Sequence, residues 1–216
     1  MKKETLEVIE QLIKRYPELV ECYQDICKTV EILISCYNQG NKLLVCGNGG
    51  SAADSQHIVG ELMKSFKNKR ELRDNLKEVI RGKCIQNCEY YISNLEEPLT
   101  AISLVGETGL ITAYSNDKAP DLVFAQQVLG LGRKDDVLLA ISTSGNSSNI
   151  IYACEIAKAM ELKVIGLTGE TGGKINTLCD VIIKTPSRET YIIQEFHLPI
   201  YHAICLALEK EFFGKE

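Results

Sequence analysis

The sequence predicts an α/β domain: a doubly wound, five-stranded parallel sheet flanked by helices. Three observations predict it. Short apolar runs recur at Leu43–Cys46, Ala101–Val105, Asp136–Ile141, Lys163–Leu167 and Val181–Lys184, and strands that are apolar at almost every position are buried on both faces. Helical periodicities separate these runs, the alternation that produces parallel strands joined by crossover helices. Two of the runs lead through turns of small residues, Gly47–Ala52 and Ser142–Ser147, straight into helices. Open α/β sheets bind ligands at such strand ends.

Taken in order, residues 4–15 and 18–38 read as two helices broken at Tyr16-Pro17. Leu6, Ile9, Leu12 and Ile13 share one helical face, and Val20, Tyr23, Ile26, Cys27, Val30, Leu33, Ile34 and Tyr37 share another. Gly40 is the expected stop. These helices either cover one sheet face or pack on a neighbouring subunit. The first strand and turn then feed a helix carrying Ser51, His57 and Glu61. Residues 69–95 read as a charged helical insert, with Leu72, Leu76, Val79, Ile80, Cys84, Cys88, Tyr91, Ile92 and Leu95 recurring every three or four positions. Gly82 is expected to bend or divide it. After Pro98 and the second strand, a short helix runs from Gly109 to Asn116-Asp117, and another from Asp121 through Val128. The third strand leads through the Ser-rich turn into a helix to about Met160. The fourth strand and a short helix precede the fifth, and residues 191–213 close the chain as a long helix. The expected organisation is one domain over 1–216, with N-terminal helices at 1–40 and a helical insert at 68–97.

Composition narrows the function. The chain has 216 residues, enough for one sizeable domain, and a net charge of -5 that makes phosphate-driven nucleic-acid binding a poor expectation. Its first residues enter an amphipathic pattern without a continuous apolar run, so neither a signal peptide nor a membrane span is expected and a cytoplasmic location is. The nine cysteines form no Cys-x-x-Cys pair, and Cys46, Cys154 and Cys205 sit in apolar runs. Reduced core thiols are expected rather than disulfides or a zinc–cysteine framework.

The motifs carry the chemistry. Gly47, Gly49 and Ala52 fit a dinucleotide fingerprint, but the region about 20 residues on is Met63–Lys69, which offers no strand ending in an acid. Thr168–Lys174 lacks both the first Gly of a Walker A loop and the Ser or Thr after its Lys, which leaves a structural turn. Asn146-Ser-Ser148 matches a glycosylation sequon that a cytoplasmic chain would not use. Ser142, Thr143, Ser144 and Ser147 are a stronger signal, because neutral donors before a helix N-terminus suit a phosphate. One Ser there could simply cap the helix, but four hydroxyls in six residues exceed that need. His57 and Glu61, four residues apart, share a helix face and could reach one metal ion or one substrate. At about 100° per residue Gln194 and His202 lie on neighbouring flanks of the last helix, and could join them if that helix packs alongside.

Together, Gly47–Asp54, His57 with Glu61, Asn116-Asp117, Ser142–Ser147 and Gln194 with His202 resemble the sedoheptulose-7-phosphate (phosphoheptose) isomerase family, within the sugar isomerase (SIS) fold. The resemblance spans roughly residues 4–213 apart from the insert. It implies an aldose–ketose isomerase converting sedoheptulose 7-phosphate to D-glycero-D-manno-heptose 7-phosphate through an enediol. It also implies one zinc ion per subunit on His57, Glu61, Gln194 and His202, with Glu61 and His202 as the acid–base pair. Substrate contacts would come from Asn48, Gly49, Gly50, Ser51, Glu61, Asn116, Asp117, Ser142, Thr143, Ser144, Ser147 and Gln194. By the same resemblance the chain would be a homotetramer with active sites at subunit interfaces, serving heptose synthesis, with no nucleic-acid or membrane partner.

The chemistry agrees with the residues: a carboxylate moves a proton between adjacent carbons, a His serves the oxygens, and zinc polarises the carbonyl. A zinc-bound Glu is a poorer base, and the sequence leaves that tension open. Two departures stand out. The insert is longer than the family's usual connection; it either walls the site or extends a subunit contact, or is solvated decoration. Ser65, with Lys64 and Lys67 adjacent, stands where family members often carry an Arg. The competing readings are an isomerase of another sugar phosphate and a non-catalytic SIS sugar-phosphate-binding or regulatory module.

Overall fold

The computed structural model describes residues 1–84 and 86–214; Ile85, inside the expected insert, and residues 215–216 of the expected domain lie outside the described residues. The strands are β1 (Leu43–Gly47), β2 (Ala101–Ser103), β3 (Val137–Ile141), β4 (Lys163–Thr168) and β5 (Val181–Lys184). They form one parallel sheet in the order β2-β1-β3-β4-β5. Before the sheet come α1 (Lys3–Arg15) and α2 (Tyr23–Asn38). Then follow α3 (Gly50–Met63), α4 (Asp74–Lys83), α5 (Cys88–Asn94), α6 (Thr108–Asp117), α7 (Val123–Leu131), α8 (Ser148–Ala159) and α9 (Thr190–Phe213).

Both sheet faces are covered, which explains the continuously apolar strands. Leu43, Val45, Leu139, Ile165 and Ile183 pack with Ile9, Ile26, Ile58 and Ile200 on the α1, α2, α3 and α9 side. The alternate residues Leu44, Cys46, Leu138, Ala140 and Val164 pack with Val128, Ile150 and Ala153 on the α7 and α8 side. The period of two along each strand thus assigns its residues to two separate cores. All nine cysteines are free thiols, and burial pushes those of Cys46 and Cys205 up to about 12.

Three local details differ from the sequence expectation. Residues Pro17–Cys22 wind as a 3-10 turn before α2 begins at Tyr23, because Pro17 fixes the first turn's φ and cannot donate a backbone hydrogen bond. Gly82 lies inside α4; the insert divides instead at Cys84–Asn87, where Asn87 takes φ 61°. Most of the periodic apolar positions of the insert fall in α4 and α5, yet neither helix contains a buried residue; Leu72, which is buried, lies before α4, and Cys84 and Leu95 lie outside both helices. Fully burying a Leu or Ile is worth roughly 1.5–3 kcal/mol, so that stripe adds little to the stability of this chain alone. Among the described residues no helix is long and apolar enough to cross a membrane.

Candidate active site

β1 and β3 are neighbours, and the chain leaves them towards opposite sides of the sheet, to β2 and to β4. Ligands bind at such a switch point, outside the carboxyl ends of the strands. The turn after β1 and the turn after β3 meet there. Asn48, Gly49, Gly50 and Ser51 line a cleft of ≈ 230 Å³ with Ile141, Ser142, Thr143, Ser147, Thr190 and Gln194. Three helices, α3, α8 and α9, begin at this cleft, and none has a side chain capping its N-terminus. Uncapped N–H groups and the positive ends of three helix dipoles favour an anion.

Local chemistry shapes the cleft. Gly49 takes φ 55° just before α3, a conformation L side chains rarely adopt. A methyl group added at Gly50 would lie 2.6 Å from Nε2 of Gln194, so the glycine makes room for that amide. Ser147 makes no capping bond; its Oγ lies 3.4 Å from Oγ of buried Ser142, leaving both hydroxyls on the cleft. Ser144 has another job, since its Oγ accepts from the backbone N–H of Asn146 and stiffens the turn. Asn48 and Asn149 exchange paired amide hydrogen bonds of 2.9 Å, tying the turn after β1 to the first turn of α8.

α3 and α9 run side by side in the same direction, and this sets which residues meet. Gly50 meets Gln194, and seven residues further along α3 His57 meets Tyr201 and His202. The His57 and His202 rings are 4.9 Å apart at right angles, and Phe66 packs 5.3 Å from His202. Nε2 of His57 is 3.3 Å from Oε1 of Glu61, whose side chain is mostly buried. Nδ1 of His57 is 3.0 Å from the Tyr201 hydroxyl, which donates to Oδ1 of Asp54 at 3.3 Å. Burial holds His202 below the usual histidine range, helped by neighbouring His57 and Arg15 and opposed by Glu61. Burial raises both the Asp54 carboxyl and the Tyr201 hydroxyl.

The donors suit a metal in part. Nε2 of His202 is buried without a hydrogen-bond partner, beside the His57–Glu61 pair. Atoms bound about 2.0–2.1 Å from a tetrahedral zinc stand roughly 3.3 Å apart, the spacing seen between His57 and Glu61. Among the described residues, however, no three His, Cys, Asp or Glu side chains already close into a cluster. Gln194 also stands apart, because eight residues of α9 separate it from His202 by about 12 Å and its amide rests on Gly50. Asn116 and Asp117 end α6 with exposed side chains bonded to each other, outside the cleft lining.

The sequence reading missed an anchor beneath the site. Arg70 and Glu209, both fully buried, pair at 3.0 Å. Glu209 also accepts from the backbone N–H groups of Phe66, Lys67 and Asn68, while Arg70 donates to the carbonyls of Leu62 and Glu61. The pair ties the end of α3, and the loop that carries Phe66, to α9. With the partners 139 positions apart, no local pattern announces it.

Comparison with known proteins identifies the family. The SIS domain family matches residues 7–101 and 93–169. The phosphoheptose isomerase of Aliarcobacter butzleri is 39% identical over 205 residues, covering 95% of this chain and 92% of that protein. The chain belongs to the phosphoheptose isomerase family. Phosphoheptose isomerase 2 of Campylobacter jejuni is 42% identical, covering 85% of this chain and 78% of that protein. Among solved structures, the phosphoheptose isomerase of Neisseria gonorrhoeae matches at 34% identity with TM-score 0.71, covering 96% of this chain and 94% of the other. That of Francisella tularensis matches at 31% identity with TM-score 0.69 and the same coverage. Members of this family are sugar-phosphate isomerases carrying the SIS fold.

Proposed function

We propose that the chain interconverts sedoheptulose 7-phosphate and D-glycero-D-manno-heptose 7-phosphate through an enediol, with zinc assistance. The observation that carries this reading is the placement of the His57–Glu61 pair, with the His202 ring packed beside His57, along α3 from an anion-suited cleft. His57 lies seven residues beyond Gly50, about 10 Å along the helix axis. A phosphate held at Ser142, Thr143, Ser147 and the Asn48–Ser51 turn would therefore direct the reacting end of a long sugar phosphate towards the cluster.

Glu61 is the base. Its side chain, mostly withdrawn from water, takes the proton from one carbon and returns it to the adjacent carbon. His202, kept neutral by burial, moves the proton between the two substrate oxygens, a role its Nε2 serves only while that atom is not on a metal. His57, Glu61 and His202 would hold the zinc; Gln194 would complete the set only by turning away from Gly50. When bound, zinc supplies polarisation of the substrate carbonyl. Asn116 and Asp117, outside the cleft lining of this chain, would contact substrate where the site is built between subunits. The homotetramer with active sites between subunits and the cytoplasmic location belong to the same reading. Exposed Val20, Met63 and Leu198 are apolar positions that such an assembly could cover.

Glu61→Gln tests the reading. It should lower turnover by about 10²–10⁴-fold with an unchanged fold; undiminished turnover would rule out Glu61 as the base.

A further inference from the structure

We propose that Tyr201 and Asp54 are positioning residues that lock His57 with its proton on Nδ1 and its Nε2 lone pair turned towards Glu61 and His202. The inference rests on the active-site reading above, and extends it to two residues outside the expected catalytic and ligand set.

A proton inventory carries the argument. The Tyr201 hydroxyl has one proton and lies between two groups, 3.3 Å from Oδ1 of Asp54 and 3.0 Å from Nδ1 of His57. The hydroxyl donates to Oδ1 of Asp54, which as a carboxylate only accepts. The hydroxyl oxygen can then only accept from His57, and Nδ1 must carry the hydrogen. A neutral imidazole protonated at Nδ1 has its lone pair on Nε2. That nitrogen faces Oε1 of Glu61 at 3.3 Å. Two lone pairs at this distance repel unless a cation or a shared proton lies between them, so the chain Asp54–Tyr201–His57 prepares a seat for positive charge.

The arrangement is built in. Tyr201 is 2% exposed, and its ring packs edge-on at 5.5 Å from His57 and 5.0 Å from His202. Asp54 and His57 lie three residues apart on one face of α3, so a single helix presents the acceptor at one end of the relay and the imidazole at the other. Hydrogen-bond partners of this kind orient metal-binding imidazoles, and their removal typically costs 10–100-fold in metal affinity.

The test uses the metal-free full chain with ¹⁵N-labelled histidine, well above the ordinary histidine pKa of about 6.5. Long-range ¹H–¹⁵N spectra of the wild type should show His57 protonated at Nδ1. Tyr201→Phe keeps the ring but removes the relay, and should move His57 towards the Nε2–H form. Asp54→Ala frees the tyrosine to donate to Nδ1 and should produce the same switch. Asp54→Asn retains a carbonyl acceptor and should keep the wild-type pattern. Tyr201→Phe and Asp54→Ala should also weaken zinc binding 10–100-fold, lowering kcat more than raising KM. An Nε2–H tautomer in the wild type would overturn the proposal, as would unchanged spectra and zinc affinity in both of those variants. A wild type with the expected tautomer but no zinc binding and no isomerase activity would instead overturn the active-site reading.

Discussion

Gly50 and Gln194 are in such close register that a methyl group on the glycine would stand 2.6 Å from the glutamine's Nε2. This contact ties the start of α3 to the start of α9 and fixes one wall of the anion cleft. The side-by-side course of these two helices then determines that His57 meets Tyr201 and His202 two turns later.

Gly50→Ala should therefore displace the Gln194 amide while leaving the fold intact, because the obstructing atoms are the far end of a flexible side chain. The expected result is a KM for sugar phosphate raised about tenfold, the loss of roughly one hydrogen bond to a charged group. Gly47→Ala differs in kind, since its methyl would meet the backbone of Ser51. Thermal unfolding should show a lowered midpoint for Gly47→Ala and a nearly unchanged one for Gly50→Ala.

The buried Arg70–Glu209 pair predicts a large stability effect from a single change. Arg70→Met leaves Glu209 charged in a fully buried position and should cost about 3–5 kcal/mol. Urea unfolding measures this directly. The variant should also lower activity, because the Phe66 loop that packs on His202 is held by the same carboxylate.

His197 predicts a pH dependence of stability. It is fully buried, and burial lowers its pKa from 6.5 to about 4, opposed by the Thr168 backbone. Above pH 6.5 both folded and unfolded states hold it neutral. As pH falls from there towards 4, only the unfolded chain takes up the proton, so folding weakens by up to about 3 kcal/mol. Unfolding measured at pH 7 and pH 5 should show a smaller loss for His197→Leu than for the wild type.

Much of this architecture was legible in the sequence because it depends on local patterns. Strands buried on both faces are apolar throughout, as in Val137–Ile141, and the hydroxyl-rich turn at Ser142–Ser147 stands next to one. The pairing of His57 with Glu61 follows from helical spacing alone. What was not legible depends on how distant elements dock. Gln194 lies against Gly50 because α3 and α9 run parallel, which spacing within α9 cannot reveal. Arg70 finds Glu209, and Asp54 finds Tyr201, across well over a hundred residues. The insert's periodicity identified helices correctly but not a buried face, since α4 and α5 pack on each other and, among the described residues, leave their apolar stripe only partly covered.

Turnover of sedoheptulose 7-phosphate, compared with pentose and hexose phosphates and followed by NMR with and without zinc, tests the central claim most directly. The expected result is conversion of the heptose phosphate in preference to the others, lost on chelation and restored by zinc. No conversion of sedoheptulose 7-phosphate by folded, zinc-supplied protein would contradict it.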